Sequence, residues 1–429
     1  MEGNCYPLAV RSALAAEVKF REVWAWSMYD FANSAYTTVV ITAVFGAYFV
    51  AGVAGNATWA TFAWTAALSI SYAAILFTGP LVGAWADAHA AKKRLLLIST
   101  VGCVGFTVLL ALVKPGDVVV ALVLVAASNY FFGTGENLIA AFLPELADSQ
   151  AMGRVSGWGW SFGYLGGLLA LGICLAYIMA SGRPAAEAVP VTMLITAMFF
   201  AVAATPTFIF LRERAVPQPV LHSPWVRLRE TMREAHRYND LWRFLLCILF
   251  YQAGITAVVS LAAIYAEQAM KFTTQQTITL ILVVNITAAI GAFGFGYLQD
   301  AIGHVRSLAL TLIGWIAMVL IAGFSHSSFS FWIAANLAGL CMGSSQAAGR
   351  AVVGYLAPPA RLAEFFGLWG LAVKAASIFG PLTYGAVTWI FAGNHRLGIF
   401  ATGLYFVIGL ALLLGIDVER GRRAALASS

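Results

Sequence analysis

The chain has 429 residues, of which 61% are hydrophobic and only 10% are charged, and its net charge is +6. Soluble proteins carry roughly 25% charged residues, so this composition excludes a soluble globule, a coiled coil and a disordered chain. The apolar residues form runs long enough to cross a bilayer as helices, which predicts an all-α polytopic membrane protein.

Twelve apolar runs follow one another along the chain, and we predict that each is a transmembrane helix. A hydrophilic stretch divides them into two halves of six. The runs are residues 24–50, 58–84, 95–113, 118–142, 157–180, 189–211, 241–266, 277–298, 307–324, 329–356, 365–390 and 397–416. The predicted domains are an N-terminal segment (1–23), two six-helix halves (24–211 and 241–416), a linker (212–240) and a tail (417–429).

The positive charges predict the orientation of these helices. An even number of spans places both termini on the same side of the membrane, and that side collects 19 Lys and Arg residues against 4 on the other side. Because cytoplasmic loops are enriched in positive charge, we expect both termini in the cytoplasm and the chain in the inner membrane of a bacterium. The charge is expected to contact anionic lipids, and nothing in it indicates nucleic acid.

The linker contains the basic amphipathic pattern WVRLRETMREAHRY. We interpret it as a helix lying on the membrane surface, with a docking site for a soluble partner as the alternative. The five cysteines are spread one per segment, which argues against a disulfide framework or a metal site. The sequence has no phosphate-binding loop, metal cluster or nucleophile elbow, so we expect neither an enzyme nor a cofactor.

The two halves resemble each other in sequence. GAWADAHAAKKR follows the second run and GYLQDAIGHVRS follows the eighth, with Asp87 and Asp300 at equivalent positions 213 residues apart. YDFANSA in the first run likewise matches YQAGITA in the seventh. Two repeated six-helix halves are the architecture of many secondary transporters, whose substrate site lies near the middle of the membrane.

These loops resemble the signature of the major facilitator superfamily. Four longer strings are similar to its vacuolar-effluxer branch, the autophagy-related amino-acid exporters and their bacterial relatives: WAWSMYDFANSAY, GRVSGWGWSFGYLGG, RFLLCILFYQAGI and AEFFGLWGLAVKAASIFGPLTYG. The resemblance implies a twelve-helix transporter fold and amino-acid export. Ala90, His304 and Gln252 depart from the residues usual in the family.

The resemblance also implies that the two loops act as latches for one conformation. The residues concerned are Gly83, Asp87, Lys92, Lys93, Arg94, Gly296, Asp300, Gly303 and Arg306. An aspartate at the end of a helix and beside cations can hold two helices together through charge-assisted hydrogen bonds. A helix cap and topology anchor is the alternative role for both aspartates.

Ionisable residues inside the apolar runs are candidates for substrate or ion binding, because charge is costly in a bilayer. Asp30 shares one helix face with Asn33 and Thr37, at positions i, i+3 and i+7. Burial would favour proton exchange at its carboxyl group near neutral pH. A structural hydrogen-bonded role near the interface is the alternative, and its equivalent in the second half is the neutral Gln252.

Three further charged residues complete the candidate set. Lys374 lies deep in the eleventh run, where it can bind a carboxylate, pair with Asp30 or Glu136, or titrate itself. Arg350, in the tenth run, either binds a carboxylate through its planar fork or extends to the cytoplasmic face. Glu136 lies in the fourth run and is a weaker candidate than Asp30.

The sequence therefore predicts a monomeric secondary transporter that works by alternating access, most simply a proton-coupled amino-acid exporter. The alternatives are an exporter of another small polar or amphipathic metabolite, and a sensor or assembly scaffold that keeps the fold without transporting. Charged residues inside the membrane favour transport, because a scaffold does not need them.

Overall fold

The structure of the chain is a computed structural model that describes residues 14, 17–146, 152–214, 238–356 and 362–426. This part of the chain is helical and contains no β-strand. In the first half the helices are α1 (Phe20–Ala35), α2 (Phe45–Tyr48), α3 (Ala60–His89), α4 (Lys92–Leu110), α5 (Val118–Ala140), α6 (Leu143–Leu146), α7 (Met152–Ser181) and α8 (Ala185–Phe210). In the second half they are α9 (Asn239–Gln268), α10 (Thr274–Ile302), α11 (His304–Phe324), α12 (Ser328–Leu356), α13 (Leu362–Ile390), α14 (His395–Leu414) and α15 (Val418–Leu426).

Ten helical stretches in the described residues are long and apolar enough to cross a membrane. The first of them, Phe20–Val53, combines α1 and α2 with two π-helical segments. The long helices α12 and α13 do not meet the same test of composition. The chain is therefore an integral, all-α membrane protein, whereas the count of twelve spans stays a prediction.

Several helices extend beyond the predicted apolar runs. α3 continues to His89, α7 begins at Met152 and α10 continues to Ile302. A helix continues past the hydrocarbon core because its hydrogen bonds lie within the segment and are also stable in the headgroup region. Hydropathy thus located the helices, but it underestimated their lengths. The predicted linker helix falls within residues 215–237, which lie outside the described part of the chain.

The chain packs into two compact units. Unit 1 comprises residues 1–41, 77–113 and 123–221, and unit 2 comprises residues 42–76, 114–122 and 222–429. In unit 1, α1 packs against α7 and α8, and α8 packs against α4. In unit 2, α9 packs against α13 and α14, while α12 packs against α10 and α11. The six-and-six domain bounds drawn from the sequence remain a prediction.

The C-terminal tail contains a short helix that hydropathy did not predict. α15 contacts α9 and α12, and Arg420 donates to both carboxylate oxygens of Asp240 over 2.8 and 2.6 Å. A methyl group added at Gly421 would lie 2.6 Å from Leu356 Cδ2 and 3.1 Å from Asp240 Cβ, so glycine at this position allows the close approach without a shift of these side chains. These hydrogen bonds raise the pKa of the Arg420 guanidinium above its usual value. Opposite charge across the contact fixes the start of α9 to α15.

The internal repeat is visible in the backbone of the two signature loops. Ala90, between α3 and α4, has φ +47°, and Gly303, between α10 and α11, has φ +89°. The two residues are 213 positions apart, which is the spacing of the sequence repeat. The left-handed conformation explains why glycine is usual here, and Ala90 adopts it without that advantage.

Candidate functional site

Asp30 lies on the side of α1 that packs against glycines of α7. A methyl group added at Gly159 would lie 2.5 Å from Asp30 Oδ2, and one added at Gly163 would lie 2.9 Å from Ser34 Oγ. Asp30 is half-buried. Glycine lets the two backbones approach closely, and the carboxylate consequently lies against protein within an apolar helix.

The face of α1 that meets α7 repeats every four residues. The pairs in contact are Asp30 with Gly159, Ser34 with Gly163, and Thr38 with Gly167. Asn33, which the sequence placed beside Asp30, is 6% exposed, and Thr37 is half-buried. Ser34 and Thr38 were missed as contact residues, although the four-residue spacing shared by both helices was a signal that could have identified them.

Tyr29 interacts with both candidate carboxylates of unit 1, which are Asp30 and Glu136. Its hydroxyl lies 2.9 Å from Thr100 Oγ1 of α4, and a methyl group at Gly135 of α5 would lie 2.6 Å from it. Both Asp30 and Glu136 act electrostatically on this hydroxyl. The structure therefore brings Asp30 and Glu136 to a shared neighbour.

The same tyrosine–glycine contact recurs in unit 2. Tyr251 of α9 is buried, and its hydroxyl is the nearest atom that a methyl group at Gly349 of α12 would meet. Tyr251 is the repeat equivalent of Tyr29, since YQAGITA matches YDFANSA. Equivalent tyrosines thus make equivalent contacts in the two halves. This similarity of contacts supports the internal repeat in addition to the similarity of sequence.

This equivalence pairs intramembrane candidates of the first half with residues of the second half. Asp30 follows Tyr29 as Gln252 follows Tyr251, and Glu136 follows Gly135 as Arg350 follows Gly349. Gln252 and Lys374 are both half-buried, on α9 and α13 respectively. The side chain of Arg350 lies outside the described part of the structure. Glu136 and Arg350, which are ionisable groups of opposite sign, therefore occupy matching positions, whereas Asp30 is matched by the neutral Gln252.

The helix that begins with α1 is irregular near its middle. It continues as a π-helix over Tyr36–Ala43 and is interrupted at Val44, where φ is −121° and ψ is −62°. The Tyr36 hydroxyl lies 2.7 Å from Ser128 Oγ, and its ring stacks on Phe132. π-Helical segments occur frequently at functional sites, and Val44 is fully buried, as irregular backbone inside a membrane requires.

The lysines of the first signature loop are fixed by acidic residues. Lys92 Nζ lies 3.0 Å from Glu145 Oε1, and the backbone N–H groups of Lys92 and Lys93 donate to the Glu213 carboxylate over 2.7 and 3.1 Å. Lys93 Nζ donates to the Leu211 carbonyl over 2.6 Å. The start of α4 is therefore held to the ends of α6 and α8.

Arg214 extends this network to the start of α1. It donates to both carboxylate oxygens of Glu22 over 2.9 and 3.0 Å, and its backbone N–H donates to Glu145 over 2.7 Å. The hydrogen bonds to Glu22 raise the pKa of the Arg214 guanidinium. Glu22, Glu145, Glu213 and Arg214 were not among the predicted loop residues, although acidic residues beside positive loops were a signal for them.

The structure describes the remaining loop candidates only in part. Gly83 lines a cleft with Gly79, Asn137 and Lys92 between α3 and α5. Arg94 and Arg306 are exposed. The side chains of Asp87 and Asp300, and the surroundings of Gly296, lie outside the described part of the structure. The latch and cap interpretations of the two aspartates both remain predictions.

The sequence matches the family described as "Vacuole effluxer Atg22 like" over residues 50–426. It is 28% identical over 412 residues to the uncharacterized MFS-type transporter YxiO of Bacillus subtilis (strain 168), and this alignment covers 92% of this chain and 94% of that protein. It is 26% identical over 301 residues to autophagy-related protein 22-1 of Penicillium rubens, covering 64% of this chain and 50% of that protein.

Solved structures of transporters share the fold. The nucleoside transporter NupG superposes with a TM-score of 0.69 at 14% identity, over 92% of this chain and 99% of that chain. A D-xylose–proton symporter superposes with a TM-score of 0.68 at 14% identity, over 94% and 99%. At this level of identity the likeness concerns the fold alone.

Proposed function

Since this chain belongs to the vacuole effluxer Atg22-like family, it is a membrane transporter of the major facilitator type and not an enzyme, and we propose that it exports amino acids in exchange for protons. Its substrate is a small molecule. The proposal places the chain in the inner membrane of a bacterium as a monomer that works by alternating access, with both termini in the cytoplasm. Amino-acid export is proposed because the chain resembles the effluxer family.

The position of Asp30 is the observation that carries the proton-coupling proposal. The residue lies about 15 Å along α1 from Phe20, at 1.5 Å per residue. Its carboxylate faces Gly159 and acts electrostatically on the Tyr29 hydroxyl. A carboxylate within an apolar helix has a reason to exchange protons, because protonation removes the cost of burying its charge.

Lys374 is proposed as the cation that holds the substrate. It is half-buried on α13, and the equivalent residue in the first half is the neutral Ser161. The fold therefore does not require charge at this position. An amino acid carries a carboxylate, which an ammonium group can bind through charge-assisted hydrogen bonds.

The substrate class is identified first by thermal unfolding of the purified protein in the presence of each of the twenty amino acids and a panel of other metabolites. A ligand that binds the folded state raises the apparent melting temperature. A shift caused by one or a few amino acids supports the proposal. A shift caused only by other metabolites, with none from any amino acid, would identify the alternative exporter.

Proton coupling is then tested by flux into proteoliposomes with an imposed pH gradient. We expect Asp30→Asn to abolish uphill accumulation of the identified substrate but to retain its exchange across the membrane, because binding persists while protonation cannot change. Asp117→Asn is the matched control, since Asp117 is an exposed loop carboxylate that accepts from the Lys114 N–H over 2.9 Å. If Asp30→Asn still accumulates substrate with an unchanged pH profile, Asp30 is structural.

A further inference from the structure

Residues of the first two predicted spans pack on helices of the second half within unit 2. α2 packs against α9, and Gln268 Nε2 at the end of α9 donates to Asn56 Oδ1 over 2.7 Å. Ser69 Oγ of α3 donates to the Ile378 carbonyl of α13 over 3.0 Å. We call these two hydrogen bonds and the packing around them the distal contact.

The packing in the distal contact is close. The rings of Phe62 and Trp389 stack with centroids 4.9 Å apart, and a methyl group added at Gly385 would collide with Thr65. In a transporter that alternates between two access states, a contact of this kind between helices of the two halves must form and break. The closed form can therefore be only moderately more stable than the open form, because otherwise the open form is not populated.

Two hydrogen-bond donors on the helices that form the distal contact are buried without a partner among the residues that the structure describes. They are the hydroxyl group of Tyr48 on α2 and the indole N–H of Trp64 on α3. Tyr48 is 5% exposed, and Trp64 is fully buried. Most buried polar side-chain atoms have a hydrogen-bond partner. A buried donor without one has lost its hydrogen bond to water and gained none in exchange.

Aromatic packing holds the rings that carry these two donors. The ring of Phe45 contacts both, with its centroid 6.0 Å from that of Tyr48 and 6.1 Å from that of Trp64. The ring of Phe49 lies 5.7 Å from Trp64, and a methyl group added at Gly52 would lie 2.7 Å from Tyr48 Cε2. The apolar contacts thus stabilise the rings in positions that leave their polar atoms unpaired within the described part of the chain.

The backbone is irregular on both sides of Tyr48. The helix is interrupted at Val44 and continues after Tyr48 as a π-helix over Phe49–Val53. The chain then turns at Asn56, which has φ +58° and accepts the hydrogen bond from Gln268. Tyr48 is thus five positions from the end of this helical stretch. Separation of α2 from α9 would open a short path from water to its hydroxyl group.

We propose that the Tyr48 hydroxyl and the Trp64 N–H limit the stability of the distal contact, so that the contact can open during the transport cycle. In the closed form neither group has a partner among the described residues. When the contact opens, water supplies the missing hydrogen bonds, which favours the open form. The two residues thereby set the ratio of closed to open molecules without touching the substrate. The inference rests on the proposed function only in assuming alternating access.

The test measures opening of the distal contact without any substrate. A single cysteine replaces Ser69, which is 4% exposed, in the full-length chain whose five natural cysteines have been replaced. A maleimide reaches this position only in open molecules, so the rate of modification in detergent follows the open fraction. The rate is compared between the chain with Tyr48 and the Tyr48→Phe variant, which loses the hydroxyl group but keeps the ring and its packing.

We expect Tyr48→Phe to slow modification about tenfold, which corresponds to about 1.4 kcal/mol in favour of the closed form, and to raise the melting temperature. Replacement of Trp64 by 3-benzothienylalanine, which has sulfur in place of the N–H in a ring of the same shape, should also slow modification. Both changes remove a polar group that only the open form can pair.

Tyr265→Phe is the matched control, because the Tyr265 hydroxyl is buried and paired. It donates to the Ala322 carbonyl over 2.8 Å, and Tyr265 is 2% exposed. Loss of this hydroxyl leaves a buried acceptor unpaired, so Tyr265→Phe should lower the melting temperature and should not slow modification. An exposed cysteine introduced at Ala185 reports any general change in reactivity.

Two outcomes would overturn the proposal. One is modification in Tyr48→Phe that is as fast as with Tyr48 or faster, which would mean that the hydroxyl group is paired in the closed form. The other is equal slowing in Tyr48→Phe and Tyr265→Phe, which would assign the effect to the loss of any tyrosine hydroxyl. Failure of the transport proposal is distinguishable, because a chain without amino-acid flux can still show the difference in modification rate.

Discussion

At the scale of single residues, the two signature loops differ in backbone conformation. Gly303 has φ +89° and ψ 156° at the start of α11, a region that is essentially restricted to glycine. Ala90, its repeat equivalent, has φ +47°, where a Cβ is tolerated at a cost of roughly 1–2 kcal/mol.

We therefore expect Gly303→Ala to lower the free energy of unfolding by about 1–3 kcal/mol. Space is not the cause, because a methyl group there would meet no atom within 4 Å. Ala90→Gly should change stability little, since relief of strain is offset by about 0.4–1 kcal/mol of added freedom in the unfolded chain. Thermal unfolding in detergent measures both, with Gly105→Ala in open space on α4 as the control. A neutral Gly303→Ala would contradict the assigned backbone conformation.

The second prediction at this scale concerns Lys374. Lys374→Ala should weaken binding of the identified substrate by roughly 1.5–3 kcal/mol, the range for a hydrogen bond to a charged group, or about 12- to 150-fold in Kd. Calorimetric titration measures the change, and Lys114→Ala, an exposed loop lysine, is the matched control. Unchanged affinity in a folded variant would exclude Lys374 from substrate binding.

At the scale of helices, glycine sets the distance between neighbours in both halves. A side chain at Gly166 of α7 would collide with the Phe31 carbonyl of α1, and one at Gly380 of α13 would collide with the Ala253 carbonyl of α9. Phe31 and Ala253 are repeat equivalents, each two residues after the paired tyrosines. The close approach of α1 to α7 and of α9 to α13 is thus the same structural solution used twice.

We expect Gly166→Ala and Gly380→Ala each to destabilise the fold by about 1–3 kcal/mol, as overpacking typically does. Backbone carbonyls cannot rotate away as a flexible side chain can, so each helix pair must separate. Gly172→Ala on α7 is the control, because a methyl group there would meet nothing within 4 Å. Melting temperature and the yield of folded protein report the effect, and equal behaviour of Gly166→Ala and Gly172→Ala would refute the close packing.

At the scale of the whole molecule, the charge distribution predicts the orientation in the membrane. We expect Ser223→Cys in the linker and Ser429→Cys at the C-terminus, each in a chain without natural cysteines, to resist an impermeant thiol reagent added outside intact cells. Permeabilised cells should label at both positions, which controls for reactivity. Ala185→Cys, after α7, should label from outside. Labelling of the linker or the C-terminus in intact cells would invert the predicted topology.

The sequence by itself determined the class of molecule, because the hydrophobic effect acts on composition and run length alone. Apolar runs located the helices, and the repeat identified Tyr29 and Tyr251 as equivalent before any contact was known. The sequence also identified Asp30 and Lys374 as candidate binding residues, since a charged residue within an apolar run can be recognised from the sequence alone. The four strings that resemble the vacuolar-effluxer branch indicated the family, and the family match over residues 50–426 confirmed it.

Only the tertiary structure decided which side chains meet. Ser34 and Thr38 contact α7 because glycines more than a hundred residues away remove the Cβ atoms that would prevent it. Arg214 pairs with Glu22 across 192 positions, and Arg420 pairs with Asp240 across 180 positions. Such contacts depend on how the helices are rotated and how far apart they lie. Hydropathy along the chain gives neither the rotation nor the spacing, because a lipid-facing apolar residue and a buried one have the same hydropathy.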